Sequence, residues 1–262
     1  MELSLAGRRA LVCGSTAGIG RACAVELAAL GAEVVLAARD ARKLEDVRAG
    51  LDGGQGRRHT AIVVDFSDAG SVEEASRALA GDGRPVHVFV SNTGGPPGGS
   101  MLDTTEDQLR SAFQSLVLSP HTIARAVVPG MKHAGYGRII TIASTSVKSP
   151  IPNLGISNAV RAAAANWSKS LAAELAPFGI TVNNVLPGYT ETERLASLLS
   201  ARADKSGVPL DRIRSEAVSS IPAGRFGRAD EVAAAVAFLS TPAAAYINGI
   251  NLPVDGGRLG TL

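Results

Sequence analysis

Residues 9–20 read Arg9-Ala10-Leu11-Val12-Cys13-Gly14-Ser15-Thr16-Ala17-Gly18-Ile19-Gly20. The run from Arg9 to Cys13 is short, mostly apolar and ends at a glycine, which predicts a strand. Beyond the turn, Ile19, Cys23, Leu27 and Leu30 recur at spacings of three and four, the period of an amphipathic helix. Gly31 then supplies a natural helix stop. A strand, a glycine-rich turn and a helix in that order make a recognisable device. The glycines let the backbone turn tightly and approach a pyrophosphate, whose charge sits well at the helix N-terminus. A glycine-rich turn can also be nothing more than a turn. Its place directly after the first strand and at the head of a helix gives it weight here.

Working outward, strands are predicted at 33–38, 60–65, 86–91, 138–143, 180–186 and 250–254. Helices are predicted between most of them, at 40–51, 71–81, 104–133 with a kink at Pro120, 154–177 and 229–240. Strands separated by helices pair in parallel, because a parallel neighbour needs a long crossover. The strands are apolar throughout, as expected when both faces of a sheet are covered. The expectation is an α/β fold, one doubly wound domain over residues 1–262 with a mostly parallel seven-stranded sheet. The cluster Gly94-Gly95-Pro96-Pro97-Gly98-Gly99 follows a strand and reads as a stiff loop over the carboxyl edge of that sheet, where ligands bind in such folds. Residues 190–228 read as an irregular, mobile lid.

The composition excludes several classes of function. Of 262 residues, 45% are hydrophobic and 19% charged, which argues against disorder. Twenty-six basic against 24 acidic side chains leave a formal charge of +2, no electrostatic reason to expect nucleic acid or an acidic membrane. No apolar run has the length of a membrane span, roughly 20 residues. The start, Met1-Glu2-Leu3-Ser4, lacks the pattern of a secretory signal. Two cysteines, Cys13 and Cys23, do not make a disulfide framework, so a cytoplasmic location is the default. No His, Cys, Asp and Glu set has metal-ligand spacing, and no metal is expected. His59 and His87 read as surface or edge residues.

The end of the second strand bears on the cofactor. An acid there would bind the ribose 2′-hydroxyl of NAD, and a cation would accept the 2′-phosphate of NADP. The sequence is Ala37-Ala38-Arg39-Asp40. Arg39 comes first, which favours NADP(H), with NAD(H) the alternative if Arg39 is a solvated surface residue. Asp40 is placed to cap the next helix.

Together these stretches resemble the short-chain dehydrogenase/reductase family over essentially the whole chain, most nearly its 3-oxoacyl carrier-protein reductases. Gly14, Gly18 and Gly20 match the family's Gly-x-x-x-Gly-x-Gly turn, which also carries Ser15 and Ile19. Asp65, followed by Phe66, stands where the family keeps an acid near the adenine. Ser91-Asn92-Thr93-Gly94 resembles its Asn-Asn-Ala-Gly turn, retaining Asn92 and Gly94. Pro187-Gly188 follows the sixth strand, and Thr190 and Thr192 fall where the family holds the nicotinamide amide. Pro253-Val254-Asp255-Gly256-Gly257 matches its C-terminal ending. The resemblance implies a Rossmann-type fold, a nicotinamide cofactor, hydride transfer with a small carbonyl or alcohol substrate, and a homotetramer or dimer in which the alanine-rich helix after Arg161, carrying Trp167, packs against another subunit.

The active site departs from the family's Asn-Ser-Tyr-Lys set. Ser144 matches the serine, while Leu116, Ser157 and Arg161 occupy the other three positions. Reducing a ketone by hydride leaves an alkoxide that needs a proton. A phenol supplies one when a nearby ammonium lowers its pKa from about 10. An aliphatic hydroxyl is a much weaker acid. A guanidinium stays charged and cannot relay protons, though it can hold an oxyanion or a ribose oxygen. Ser157 and Arg161, four apart on a helix, share one face. Losing a general acid removes roughly 10²–10⁴-fold in rate. Lys148, four residues after Ser144, is a candidate replacement donor and otherwise a solvated loop lysine. Tyr189 carries the one phenol near the expected site, if it does not simply pack against cofactor or lid. Two readings remain at this point: an NADP(H)-dependent oxidoreductase with a modified acid/base set, and a catalytically weak nucleotide-binding sensor or scaffold.

Overall fold

The structure is a computed structural model that describes residues 1–261. Seven strands form one sheet: β1 (Arg9–Cys13), β2 (Glu33–Ala38), β3 (Thr60–Val63), β4 (Val88–Ser91), β5 (Gly137–Ile142), β6 (Ile180–Pro187) and β7 (Asn251–Val254). Their order is β3-β2-β1-β4-β5-β6-β7, and every pairing is parallel. The chain moves outward from β1 to β3 and then returns to pair β4 with β1. The carboxyl ends of β1 and β4 therefore flank a switch point, the place where an open α/β sheet leaves a crevice.

Alternation along β1 assigns its side chains to two cores. Ala10 and Val12 face a core with Cys23, Ala24 and Leu27 of α1 (Gly18–Ala29), Leu44 and Val47 of α2 (Ala41–Ala49), and Val232 and Val236 of the helix over Ala229–Ser240. Leu11 and Cys13 face the opposite core, built with α3 (Ala69–Gly81), the helix over Ser119–Ala134 and the long helix over Gly155–Leu175. Full burial of side chains such as Leu11 and Phe89 contributes roughly 1.5–3 kcal/mol each. Both faces of the central strands are covered, as their composition implies. β3 is different: it is an edge strand whose burial alternates, and Val63 is exposed.

Four further regions differ from the sequence reading or refine it. The segment 104–133 is two helices, α4 (Glu106–Phe113) and α5 (Ser119–Ala134), joined by a π-helical turn over Gln114–Leu118. The break at Pro120 thus takes the form of a widened turn immediately before it, since a proline lacks the N–H needed inside a helix. The stretch 190–228 is not irregular. It holds α7 (Glu193–Ser206) and α8 (Leu210–Ser219), which share a small core of Leu195, Leu199, Ile213, Ala217, Ile221 and Phe226. His59 and His87 are buried rather than exposed, and they finish the amino edge of the sheet. His87 Nδ1 accepts from the Arg9 N–H at 3.1 Å, and His59 Nδ1 from the Val34 N–H at 3.0 Å. The remaining helices are α6 (Gly155–Leu175) and α9 (Ala229–Ser240). No helix among the described residues is long and apolar enough to cross a membrane.

Candidate active site

The turn after β1 is shaped by what a side chain would strike. A Cβ on Gly14 would lie 2.5 Å from the Asn92 carbonyl oxygen, and one on Gly20 would lie 2.1 Å from the Gly14 carbonyl. Gly14 (φ +59°) and Gly18 (φ +50°) also adopt the left-handed conformation that disfavours other residues. Asn92 braces the turn by donating from Nδ2 to the carbonyls of Cys13 and Gly14, at 3.3 and 3.4 Å. Ser15 is fully buried and its Oγ accepts from the Ala37 N–H, which locks the turn to the end of β2. The Thr192 methyl closes over Gly18, where a Cβ would come within 3.1 Å.

Two adjoining cavities lie over the carboxyl edge of the sheet and share Arg39, Thr93, Gly94 and Gly95. One, of about 540 Å³, is lined by Asp65, Phe66 and Leu116 among others. Arg39 stands at its mouth, exposed. Asp40 does not compete there, because its carboxylate accepts from the Lys43 N–H at 3.0 Å and caps α2. Hydrogen bonds from the hydroxyl and N–H of Ser67, with help from Arg39, hold the Asp65 carboxyl below its usual range against the opposing effect of burial.

The other cavity, of about 590 Å³, runs from Gly14, Gly18 and Ile19 past Ser144, Ser157 and Arg161 to Pro187, Gly188, Thr190 and Thr192. The turn, the serines and the arginine are therefore brought together. Ser144 Oγ accepts from the Ser146 N–H at 3.1 Å, which leaves its O–H free to donate. Arg161, partly buried, is held by three bonds. Nη1 donates to the carbonyls of Ile142 and Ala143 at 2.9 and 2.7 Å, and Nε donates to Ser157 Oγ at 3.2 Å. Burial, and then the nearby Arg194, push its pKa down to about 10. It remains a cation at neutral pH.

Other expected residues stand differently. Lys148 does not line either cavity. Tyr189 does line the larger one, with its ring between Phe226 and the guanidinium of Arg258. Leu116 sits in the π-helical turn and packs with Val160 and Ala164 of α6. Thr190 and Thr192 reach the cavity, but Thr190 donates to the Gly188 carbonyl and Thr192 caps α7 through the Leu195 N–H. Among the described residues no group of three His, Cys, Asp or Glu could hold a metal.

Arg194 is the site residue the sequence reading missed. It sits in the first turn of α7, and its Nη2 donates to the Pro96 carbonyl of the Gly/Pro loop. The available signal was the Thr192 cap followed by Leu195 and Leu199, a helix start that aims position 194 back toward that loop.

Residue 93 adds a test of fit for a dinucleotide. Thr93 Oγ1, at the junction of the two cavities, is buried with no hydrogen-bond partner. The bare glycine cradle, this orphaned hydroxyl and the free guanidinium of Arg39 suit such a group.

Comparison with known proteins agrees with this geometry. Residues 14–258 match the family model described as enoyl-(acyl carrier protein) reductase. The chain is 34% identical over 252 residues to the 3-oxoacyl-(acyl-carrier-protein) reductase FabG of Haemophilus influenzae, covering 96% of this chain and 98% of that one. It is 33% identical over 275 residues to the cyclohexanol dehydrogenase of a Rhodococcus species, covering 98% and 97%. The crystal structure of L-sorbose reductase from Gluconobacter frateurii, complexed with NADPH and L-sorbose, superposes with a TM-score of 0.92 at 28% identity over 100% of both chains.

Proposed function

The chain belongs to the short-chain dehydrogenase/reductase family and is an oxidoreductase acting on a CH–OH or carbonyl group with a nicotinamide cofactor. From that premise we propose that it uses NADP(H) and interconverts a small carbonyl compound with its alcohol through an acid/base set unlike that of its family. The observation that carries this reading is the free Ser144 hydroxyl opening into the same cavity as the glycine turn and the Arg161 guanidinium.

Gly14, Gly18 and Gly20 would receive the pyrophosphate, Arg39 the 2′-phosphate, and Asp65, Phe66, Asn92, Gly94, Pro187, Gly188, Thr190 and Thr192 would line the rest of the cofactor's path. When bound, the nicotinamide supplies or accepts the hydride. Ser144 donates its hydroxyl to the substrate oxygen and orients the carbonyl. Arg161 lines the same cavity, tied to the carbonyl of Ala143, and its charge favours negative charge as it develops there. Arg161 holds its protons at neutral pH. Ser157, already accepting from Arg161 Nε, offers its own proton only as a weak acid. The proton therefore reaches the substrate oxygen from solvent through the open cavity, with Ser157 as a relay. A homotetramer, or a dimer, formed through α6 is part of the same reading; the small residues Ala162 and Ala163 beside Trp167 on that helix support it. The two buried free cysteines suit a cytoplasmic location.

The test is a nicotinamide-fluorescence titration with NADPH and NADH, followed by NADPH oxidation across ketones, aldehydes and a 3-oxoacyl thioester. Tighter binding of NADPH and turnover of at least one carbonyl are expected. Preference for NADH overturns the role of Arg39. Tight binding without turnover favours the sensor reading.

A further inference from the structure

The guanidinium groups of Arg161 and Arg194 converge on one point beside Gly95. A Cβ built on Gly95 would lie 3.4 Å from Arg161 Nη2, 3.3 Å from Arg194 Nη2 and 3.4 Å from Arg194 Nε. The two come from different elements, α6 and the first turn of α7. Among the described residues neither meets a carboxylate within ion-pair distance. The cavity they share has one acidic lining residue, Glu193, against Arg39, Arg161, Arg194 and Arg258. Like charges brought together without a counter-ion repel, and Arg161 is also partly removed from water. Such a pair is costly for folding alone and favourable once an anion bridges it.

The free donors specify the anion's place. Arg161 Nε and Nη1 are taken by Ser157 and the two strand carbonyls, which leaves Nη2 facing the cavity. Arg194 has Nη2 on Pro96 and leaves Nε and Nη1. Arg161 Nη2 and Arg194 Nε approach the same point beside Gly95, so each can give one charge-assisted N–H to a single carboxylate, and the two side chains together make a two-armed fork. Arg161 is bonded to the carbonyl of Ala143, the residue before Ser144. An anion on Arg161 therefore shares its cavity with the hydroxyl that orients the reacting carbonyl. The cofactor's pyrophosphate has its own cradle at Gly14–Gly20, on the N-terminus of α1.

We propose that Arg161 and Arg194 form a carboxylate fork, and that the substrate is a 2- or 3-oxo acid or the corresponding hydroxy acid. The proposal rests on the oxidoreductase reading for its reaction but not for its binding site. In the reductive direction the oxo carbon gains a hydride from the reduced nicotinamide and the oxygen a proton from solvent. The products are the hydroxy acid and oxidised nicotinamide, with the carboxylate unchanged.

The test is calorimetric titration of the full chain, saturated with NADP⁺, with 2-oxohexanoate, 3-oxohexanoate, their ethyl esters and inorganic phosphate. At least one acid is expected to bind about 10- to 100-fold more tightly than its ester, the range of a charge-assisted hydrogen-bond pair. Arg194→Gln should abolish that ratio and leave NADP⁺ affinity unchanged, and Arg194→Lys should restore only part of it. Equal affinity for acids and esters, or no binding of either acid, overturns the proposal. So does a loss of NADP⁺ affinity in Arg194→Gln, which would assign the fork to the cofactor, or phosphate binding as tight as the acid's. The acid-to-ester ratio of the unaltered protein stands if the variants fail to fold. Failure of NADP⁺ to bind would instead count against the oxidoreductase reading, and the acids and esters titrated without it would still report on the fork.

Discussion

Arg161 Nε donates to Ser157 Oγ at 3.2 Å, one helical turn away on α6, while Nη1 of the same guanidinium ties down the last carbonyl of β5 and the one after it. In this family a tyrosine and a lysine occupy these two positions. On the proposed reading a small hydroxyl and a rigid guanidinium stand in for them, and the guanidinium is built into the scaffold as well as the site. Arg161→Ala would leave two inward-facing carbonyls without their donor. Each loss of this kind costs about 1–3 kcal/mol. The expected result is destabilisation by at least about 2 kcal/mol and a melting temperature lower by at least roughly 4 °C, followed by circular dichroism. An unchanged melting temperature would show that Arg161 serves ligands alone.

Ser144 differs from Arg161 in having a free donor and little structural duty. Ser144→Ala loses one acceptor for the Ser146 N–H and the one hydroxyl placed to orient a carbonyl. Removal of a comparable oxyanion donor costs about 10²–10³ in kcat. The variant should therefore fold, bind NADPH with unchanged affinity, and lose turnover by that factor. Full activity in stopped-flow NADPH oxidation would remove Ser144 from the mechanism.

Arg39 and Asp40 divide their work at the end of β2. Asp40 caps α2, and the Arg39 guanidinium is exposed at the mouth of the second cavity. Arg39→Ala should weaken NADPH about 10- to 100-fold, the range of a charge-assisted phosphate contact, and leave NADH within about twofold. Fluorescence titration of both nucleotides reads this directly. Equal losses for both would move Arg39 away from the 2′-phosphate.

The sheet and the glycine cradle were legible in the sequence because each is written in a local code. Apolar runs alternate with helical periods, and glycines stand where a Cβ would strike Gly14 or Asn92. The helix pair within 190–228 was not legible. Pro209 and the polar composition of 190–228 obscured Leu195, Leu199, Ile213 and Ala217, whose spacing of four is regular within each helix but which bury in a small core of their own with Ile221 and Phe226. Arg194 was lost with that helix pair, since its place in the site depends on a contact 98 residues away in sequence, with Pro96. The same reason explains His59 and His87. Nothing near either residue reveals that a strand N–H from elsewhere in the chain ends on its ring.

That buried histidine edge should give the fold a measurable acid limit. His87 accepts from the Arg9 N–H through Nδ1, so the native state needs the ring unprotonated at that nitrogen. Burial, and then the charges of Arg8 and Arg9, hold its pKa below the ordinary value. Above the unfolded-state pKa of about 6.5 neither state binds the proton, and the contribution of His87 to stability is fully present. Below it the unfolded chain takes the proton first, so stability falls as pH drops from about 6.5 through the folded-state pKa. The slope approaches at most about 1.4 kcal/mol per pH unit for a single group. His87→Asn places an amide oxygen where Nδ1 stood and cannot titrate. Urea unfolding between pH 7.5 and 5 should show the unaltered protein losing stability and the variant losing less. Parallel curves for the two would mean that another group, not His87, sets the acid limit.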